Sequence, residues 1–303
     1  MKHLSFVLLI LFVCMACGFA HAGDFATGGA NETPNAPDAG IPARINGEVN
    51  PIFKGWVTDV HIYAPAPGVV PDFRDTSFAL GPPHAKDNTY VVSLGDLNAT
   101  QISADTLPGS IVLTFAEAIY NGIGADFAVF ENGFFVDGTD GRVAAEFAYV
   151  EVSTDGEIFS RFPSISDARK EGTLGYEHVD VTDVYNLAGK HVFGYGTPFD
   201  LDDLLNDEYV RDGLVDLNEI NYVRLVDIPG SGDFLDSRGE PIYDMWVSWG
   251  SGGFDLTGIG VINTISDRPD PAATTPEPST LVLFAVGLFG IGLRSRRQAK
   301  PQV

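Results

Sequence analysis

Acidic side chains are the most abundant source of chemistry in this sequence. The 303-residue chain carries 41 Asp and Glu against 18 Lys and Arg, a formal net charge of −23. Calcium binds six to eight hard oxygens from carboxylates, amide side chains and backbone carbonyls. Glu131 and Asn132 leave a predicted strand for a glycine turn, and Asp255 opens the last predicted strand. The sequence therefore predicts a structural calcium ion at Glu131, Asn132 and Asp255, with turn capping as the simpler interpretation; Asp200 and Asp227 are second choices.

Two tryptophans precede the turn at Ser251-Gly252-Gly253 and indicate a second kind of site. A sugar site needs an aromatic platform beside hydrogen-bonding groups, and Trp246 and Trp249 lie three residues apart in YDMWVSWG. Large aromatic side chains also carry much of the core of any β-sandwich. The pair is thus a candidate polysaccharide-binding site, with core packing as the alternative.

The recognised catalytic motifs are absent from the sequence. It has no H-E-x-x-H zinc pair, no G-x-S-x-G elbow and no phosphate-binding glycine loop after a strand. Glu131 and Glu151 could be chosen as a glycosidase pair. Because the chain has 41 acids, many such pairs can be chosen, and this one is uninformative. We therefore expect a non-catalytic protein, and the alternative is an exported glycan-active hydrolase.

The N-terminus has the three parts of a signal peptide. Lys2 precedes an apolar run over residues 4–19, and Ala20-His21-Ala22 forms an A-x-A site. Ala20 and Ala22 therefore predict cleavage by signal peptidase after residue 22. Both cysteines, Cys14 and Cys17, lie within this segment, so the mature chain has no disulfide and no Cys-ligated metal.

The C-terminus combines a short apolar segment with a basic end. Residues 281–293 are apolar and would form a helix of about 20 Å, short of the ~30 Å hydrocarbon core. Basic residues directly after such a segment remain on the cytoplasmic side of the inner membrane. The residues that form the two flanks are Pro276, Glu277, Pro278, Arg294, Arg296 and Arg297.

This arrangement resembles the PEP-CTERM sorting signal of Gram-negative bacteria. The resemblance implies that exosortase, a membrane protease, cuts at the PEP motif and passes the protein toward the cell surface or extracellular matrix. The inner membrane would then hold the chain transiently through residues 280–293. A permanent membrane anchor is the alternative.

The segments between the two ends form one domain with two linkers. Residues 23–40 and 266–275 are rich in Gly, Pro, Ala and small polar residues and predict disordered linkers around a domain at 41–265; the sorting signal occupies 276–299. Residues 23–278 carry 13 basic and 41 acidic side chains, a formal −28. Such a surface repels phosphate backbones, so nucleic acid is excluded as a partner.

Short strands separated by turns dominate the domain. The pattern predicts an all-β fold, a single jelly-roll-type β-sandwich. Residues 201–205 are the best helix candidate, and in residues 147–152 alternate side chains point to opposite faces. The predicted strands are 56–63, 90–94, 110–115, 126–130, 145–153, 158–162, 222–227 and 256–262.

Two further resemblances support this fold. Residues 151–159, EVSTDGEIF, resemble a hairpin of discoidin-like and galactose-binding-like sandwiches. Blocks such as ALGPP at 79–83, DFAVFENG at 126–133 and GGFDL at 252–256 resemble a bacterial cell-surface family found upstream of PEP-CTERM tails. That family implies no activity, so we expect an exported surface or matrix protein that binds polysaccharide or another surface component.

Overall fold

The computed structural model describes residues 25–26, 38–137, 142–170, 177–248 and 252–268. The predicted signal peptide, with Ala20 and Ala22, and the C-terminal tail lie outside these residues. No helix within the described ranges is long and apolar enough to cross a membrane. The predicted membrane segment at 280–293 falls beyond them.

Strands make up most of the regular structure. The described residues contain two short α-helices, α1 (Ala99–Ser103) and α2 (Glu208–Arg211), and five 3-10 helices, at Pro71–Phe73, Thr76–Ala79, Val181–Asp183, Leu201–Leu204 and Ile265–Asp267. They also contain sixteen strands: β1 Ile41–Pro42, β2 Arg44–Ile45, β3 Glu48–Val49, β4 Gly55–Ala64, β5 Val92–Ser93, β6 Ser110–Ile119, β7 Phe127–Glu131, β8 Phe134–Phe135, β9 Val143–Ala144, β10 Ala148–Ser153, β11 Ser160–Arg161, β12 Ile165–Ser166, β13 Val184–Tyr185, β14 Tyr195–Phe199, β15 Ile220–Asp227 and β16 Asp255–Val261.

One antiparallel sheet curls over on itself at β4. Its strand order is β1-β14-β7-β16-β4-β6-β15-β10-β11, and β5 also pairs with β16. The start of β4 pairs with β16, at Gly55 and Trp56, whereas the remainder pairs with β6 through two register shifts. Such irregularities bend a strand and increase its twist, so β4 carries the chain from one half of the sheet to the other. The predicted β-sandwich is confirmed at this level, and its jelly-roll and discoidin-like type remains a prediction.

The main core lies between the two halves of the sheet. Phe127 and Phe199 stack at 5.4 Å between ring centroids, and Phe162 meets Phe199 edge-on at 5.0 Å. From β10, Val150 and Val152 pack into this core. The opposite face of the same segment is also buried, because Phe147 and Tyr149 belong to a second apolar cluster. The predicted alternation in residues 147–152 is therefore real, but both of its faces are covered.

Part of the predicted N-terminal linker contacts this domain. The ring of Phe25 stacks on Tyr185 at 4.9 Å, and Ala26 N donates a hydrogen bond to Asp38 Oδ1 at 2.8 Å. Asp38 also forms an ion pair with Lys190, whose side chain is fully buried. A buried charge is costly without its partner, so the ion pair between Lys190 and Asp38 attaches this segment to the domain.

Asp126, just before β7, holds three separate segments together. It is fully buried; its Oδ1 accepts hydrogen bonds from Gly122 N at 2.7 Å and Asn263 Nδ2 at 2.8 Å. Its Oδ2 accepts one from Leu201 N at 2.8 Å, at the start of a 3-10 helix. Both oxygens must therefore be acceptors.

Replacement of Asp126 by asparagine is expected to destabilise the domain by about 1–3 kcal/mol, the cost of an unsatisfied buried donor. The new amide nitrogen would either face Leu201 N or displace one of the other two donors. Urea unfolding measures the loss, and Asp59→Asn, at an exposed position of β4, is the matched control. Equal unfolding midpoints for the two variants would show that these hydrogen bonds do not stabilise the fold.

Candidate functional site

Three of the predicted calcium ligands lie side by side in the structure. Glu131 ends β7, Asp255 opens the neighbouring strand β16, and both are only 2% exposed. Asn132 Nδ2 donates a hydrogen bond to Asp255 Oδ2 at 3.2 Å, and Glu131 Oε2 accepts one from Gly133 N at 2.5 Å. The amide nitrogen of Asn132, and not its oxygen, faces Asp255. The arrangement thus provides turn and cross-strand hydrogen bonds.

The two second-choice residues have different surroundings. Asp200 caps the 3-10 helix at Leu201–Leu204 by accepting a hydrogen bond from Asp202 N at 2.9 Å. Burial, and then the charges of Asp202 and Asp203, raise the pKa of its carboxyl. Asp227 ends β15, and its pKa is raised by burial first and then by the charges of Asp96 and Asp255.

Sequence reasoning missed three further acids at this end of the sandwich. Asp244 is 2% exposed and Glu146 is 6% exposed, while Asp96 is half-buried. Backbone amides bind all three: Phe147 N lies 2.8 Å from Asp244 Oδ2, Gly253 N 3.0 Å from Glu146 Oε1, and Ser248 N 3.0 Å from Asp96 Oδ2. We refer to the following residues as the acidic cluster: Asp96, Glu131, Glu146, Asp227, Asp244 and Asp255.

Burial is the main cause of the unusual acidity within the acidic cluster. It raises the pKa of Glu131 well above the usual range, and the charge of Asp255 raises it further. The pKa of Glu146 is raised by burial and then by the charges of Asp255 and Glu131. Burial also raises the pKa of Asp96, to about 6, although Lys170 and hydrogen bonds from Ser248 act in the opposite direction. Folding therefore places these carboxyl groups close enough together for the charge of one to raise the pKa of another.

No three acidic or histidine side chains among the described residues are arranged to hold a metal ion as they stand. Glu131 and Asp255 contribute two carboxylates to the predicted calcium ligands, and Asn132 contributes an amide group. Calcium binding by them remains a prediction from the sequence.

A surface pocket opens beside the acidic cluster. It has a volume of about 170 Å³. Asp96 connects the pocket with the buried carboxylates, because its Oδ2 is bound by Ser248 N and the same serine lines the pocket. The residues that line it are Pro67, Gly68, Val69, Gly95, Asp96, Asn98, Gln101, Val247, Ser248 and Gly252.

Trp246 lies next to this pocket and is half-buried. Its Nε1 donates a hydrogen bond to Leu97 O at 2.7 Å, and the ammonium group of Lys170 lies 5.3 Å from the centre of an indole ring. Its polar edge is therefore bound by the protein itself. Trp249 lies outside the described residues, so a shared sugar platform stays a prediction.

Glu131 and Glu151, the example of a glycosidase pair, have different surroundings. Both oxygens of Glu151, in the middle of β10, form ion pairs with arginines: Arg161 at 2.8 Å and Arg224. Glu131 lies at the end of β7, in the other half of the sheet.

Comparison with known proteins explains the C-terminal tail. A family model described as the PEP-CTERM protein-sorting motif matches residues 274–297. The tail is a sorting signal. It indicates export and location at the cell surface or outside the cell after exosortase processing. Pro276, Glu277 and Pro278 fall within the match, as do Arg294, Arg296 and Arg297. The comparison with curated proteins gives no match.

Proposed function

We propose that this exosortase-sorted protein is a non-catalytic component of the cell surface or extracellular matrix whose β-domain binds polysaccharide. The sorting motif at 274–297 carries the proposal, because it delivers the domain to the place where surface polysaccharide is found. Within the β-domain, the pocket beside Asp96 also supports the proposal of polysaccharide binding. Its volume of about 170 Å³ is below the ~300–1,000 Å³ typical of sites that enclose a small molecule. Such a pocket suits one unit or one end of a chain.

The lining of the pocket supports a polar ligand. Asp96 adds a carboxylate group to the lining of the pocket. Ser248 adds a hydroxyl group, and Val69 and Val247 add apolar contacts. Hydrogen-bonding groups beside apolar surface are what the two faces of a sugar ring require. The calcium ion predicted from the sequence is not needed for this recognition.

Binding is expected without product release. Processed protein recovered from the cell surface would be passed over immobilised polysaccharide from the matrix of the producing cells, with retention and released reducing ends measured together. Val247→Arg should fill the pocket and abolish most of the retention, whereas Ile123→Arg, at a fully exposed position, should not. Release of reducing ends would favour the exported hydrolase, and equal retention of both variants would place binding elsewhere.

A further inference from the structure

Two carboxylate oxygens of the acidic cluster lack the partners that buried oxygens normally have. Asp227 is 1% exposed, and its Oδ1 accepts a hydrogen bond from Phe254 N at 2.7 Å. Its Oδ2, like Asp96 Oδ1, is buried and has no hydrogen-bond partner among the residues that the structure describes. A buried carboxylate oxygen without a partner is costly, so these two atoms point to a missing ligand.

Gly253 brings these two residues together. Its φ is +72°, and a methyl group added there would lie 2.6 Å from Asp227 Oδ1 and 2.9 Å from Asp96 N. The chain after β5 and the end of β15 therefore approach each other across this glycine. The proximity has an electrostatic consequence, since after burial itself the charge of Asp96 raises the pKa of Asp227.

The nearby positive charge is already engaged. Lys170 Nζ forms an ion pair with Glu177 Oε1 at 3.3 Å and donates a hydrogen bond to Trp246 O at 3.4 Å. Its charge lowers the pKa of Asp96 and of Asp244, but burial outweighs that effect at both residues. A further cation at Asp96 and Asp227 would offset the remaining repulsion.

We propose that a calcium ion binds between Asp96 and Asp227, entering through the pocket that Asp96 lines. Two carboxylates are compatible with calcium because main-chain carbonyls, hydroxyls and water commonly complete its six to eight oxygen ligands. The Ser248 hydroxyl, 3.4 Å from Asp96 Oδ2, is one neutral candidate. This ligand set differs from Glu131, Asn132 and Asp255, and it does not depend on polysaccharide binding.

Calorimetric titration of the processed, chelator-treated protein with calcium chloride tests the proposal. We expect one site with a Kd of about 10⁻⁴–10⁻³ M, the range of extracellular calcium modules. Calcium should also raise the thermal unfolding midpoint above that in sodium chloride of equal ionic strength, since it binds the folded state. No binding heat together with no such rise would overturn the proposal.

Asp227→Asn is the decisive variant because its Oδ1 still accepts the hydrogen bond from Phe254 N. Its calcium-free unfolding midpoint is the reference for its own calcium response, because the new amide nitrogen at the Oδ2 position has no acceptor among the described residues. Calcium binding should weaken at least about tenfold with the loss of one of two charged ligands. Asp244→Asn, which replaces a similarly buried carboxyl group, should retain the calcium response.

Other variants separate the two ligand sets. Should Asp227→Asn fail to fold, Asp96→Asn decides in its place, because its Oδ2 position can still accept from Ser248 N. A full calcium response in whichever of these variants folds would overturn the assignment. Loss of the response in Glu131→Gln with retention in Asp227→Asn would instead favour the residues predicted from the sequence.

Discussion

In buffer free of divalent cations, the folded domain is expected to lose stability as the pH rises from about 5 to about 8. Burial raises the pKa of Glu146 and of Asp244 well above the usual range. Each group then holds its proton in the folded state at pH values where the unfolded chain, with carboxyl pKa values near 4, has released it. The folded state binds more protons, so unfolding becomes easier as the pH rises. Each group contributes to this slope while the pH lies between its pKa in the unfolded chain and its raised pKa in the folded domain.

Urea unfolding at several pH values and at high, constant ionic strength measures this dependence. High salt is needed because the formal charge of −28 on residues 23–278 also destabilises the domain as the surface acids ionise. Salt screens exposed charges more than buried ones. Glu146→Gln retains an acceptor for Gly253 N and should flatten the dependence while stabilising the domain at pH 8. The exposed-site variant Asp59→Asn should leave it unchanged. Stability that is constant or rises over this pH range would contradict the expected burial.

Deletion of Pro276, Glu277 and Pro278 is expected to stop processing and retain the protein in the inner membrane. The three residues lie in the matched sorting motif, directly before the apolar segment and its arginines. Without cleavage, the apolar residues and the basic end would continue to hold the chain in the bilayer. Most of the protein should therefore move from the surface fraction to the membrane fraction.

Immunoblots of the two fractions provide the measurement. The matched control is deletion of residues 271–273, three linker residues that lie outside the matched 274–297. It should be processed normally. Equal surface amounts for both deletions would mean that the PEP residues are not required for sorting.

Local patterns in the sequence predict the long strands well. β4, β6, β7, β10, β15 and β16 all overlap predicted strands, because each shows β-rich composition between turns. β14 was missed, since Gly196 and Pro198 both disfavour strands. Tertiary contacts explain why these two residues occur in the strand. A methyl group at Gly196 would lie only 2.8 Å from Phe130, so the packing requires a glycine there. For Pro198, the relevant fact is that β1 pairs only with Tyr195 and Gly196. The side of β14 facing β1 therefore does not require an N–H at Pro198.

Only part of the acidic cluster could be predicted from the sequence. Glu131, Asn132 and Asp255 stand beside glycine turns at strand ends, a local signal. Glu146 has no such signal, because its partner Gly253 is 107 residues away along the chain. Its burial arises when distant segments pack together at one end of the sandwich. A count of 41 acids cannot distinguish the few that become buried from the many that remain in water.

The intact mass of the protein isolated from the cell surface tests the central claim of exosortase sorting most directly. The predicted chain begins near Gly23, after the A-x-A site, and lacks the residues that follow the PEP motif at Pro276, Glu277 and Pro278. A surface-located chain whose mass includes an intact end at Val303 would contradict this account.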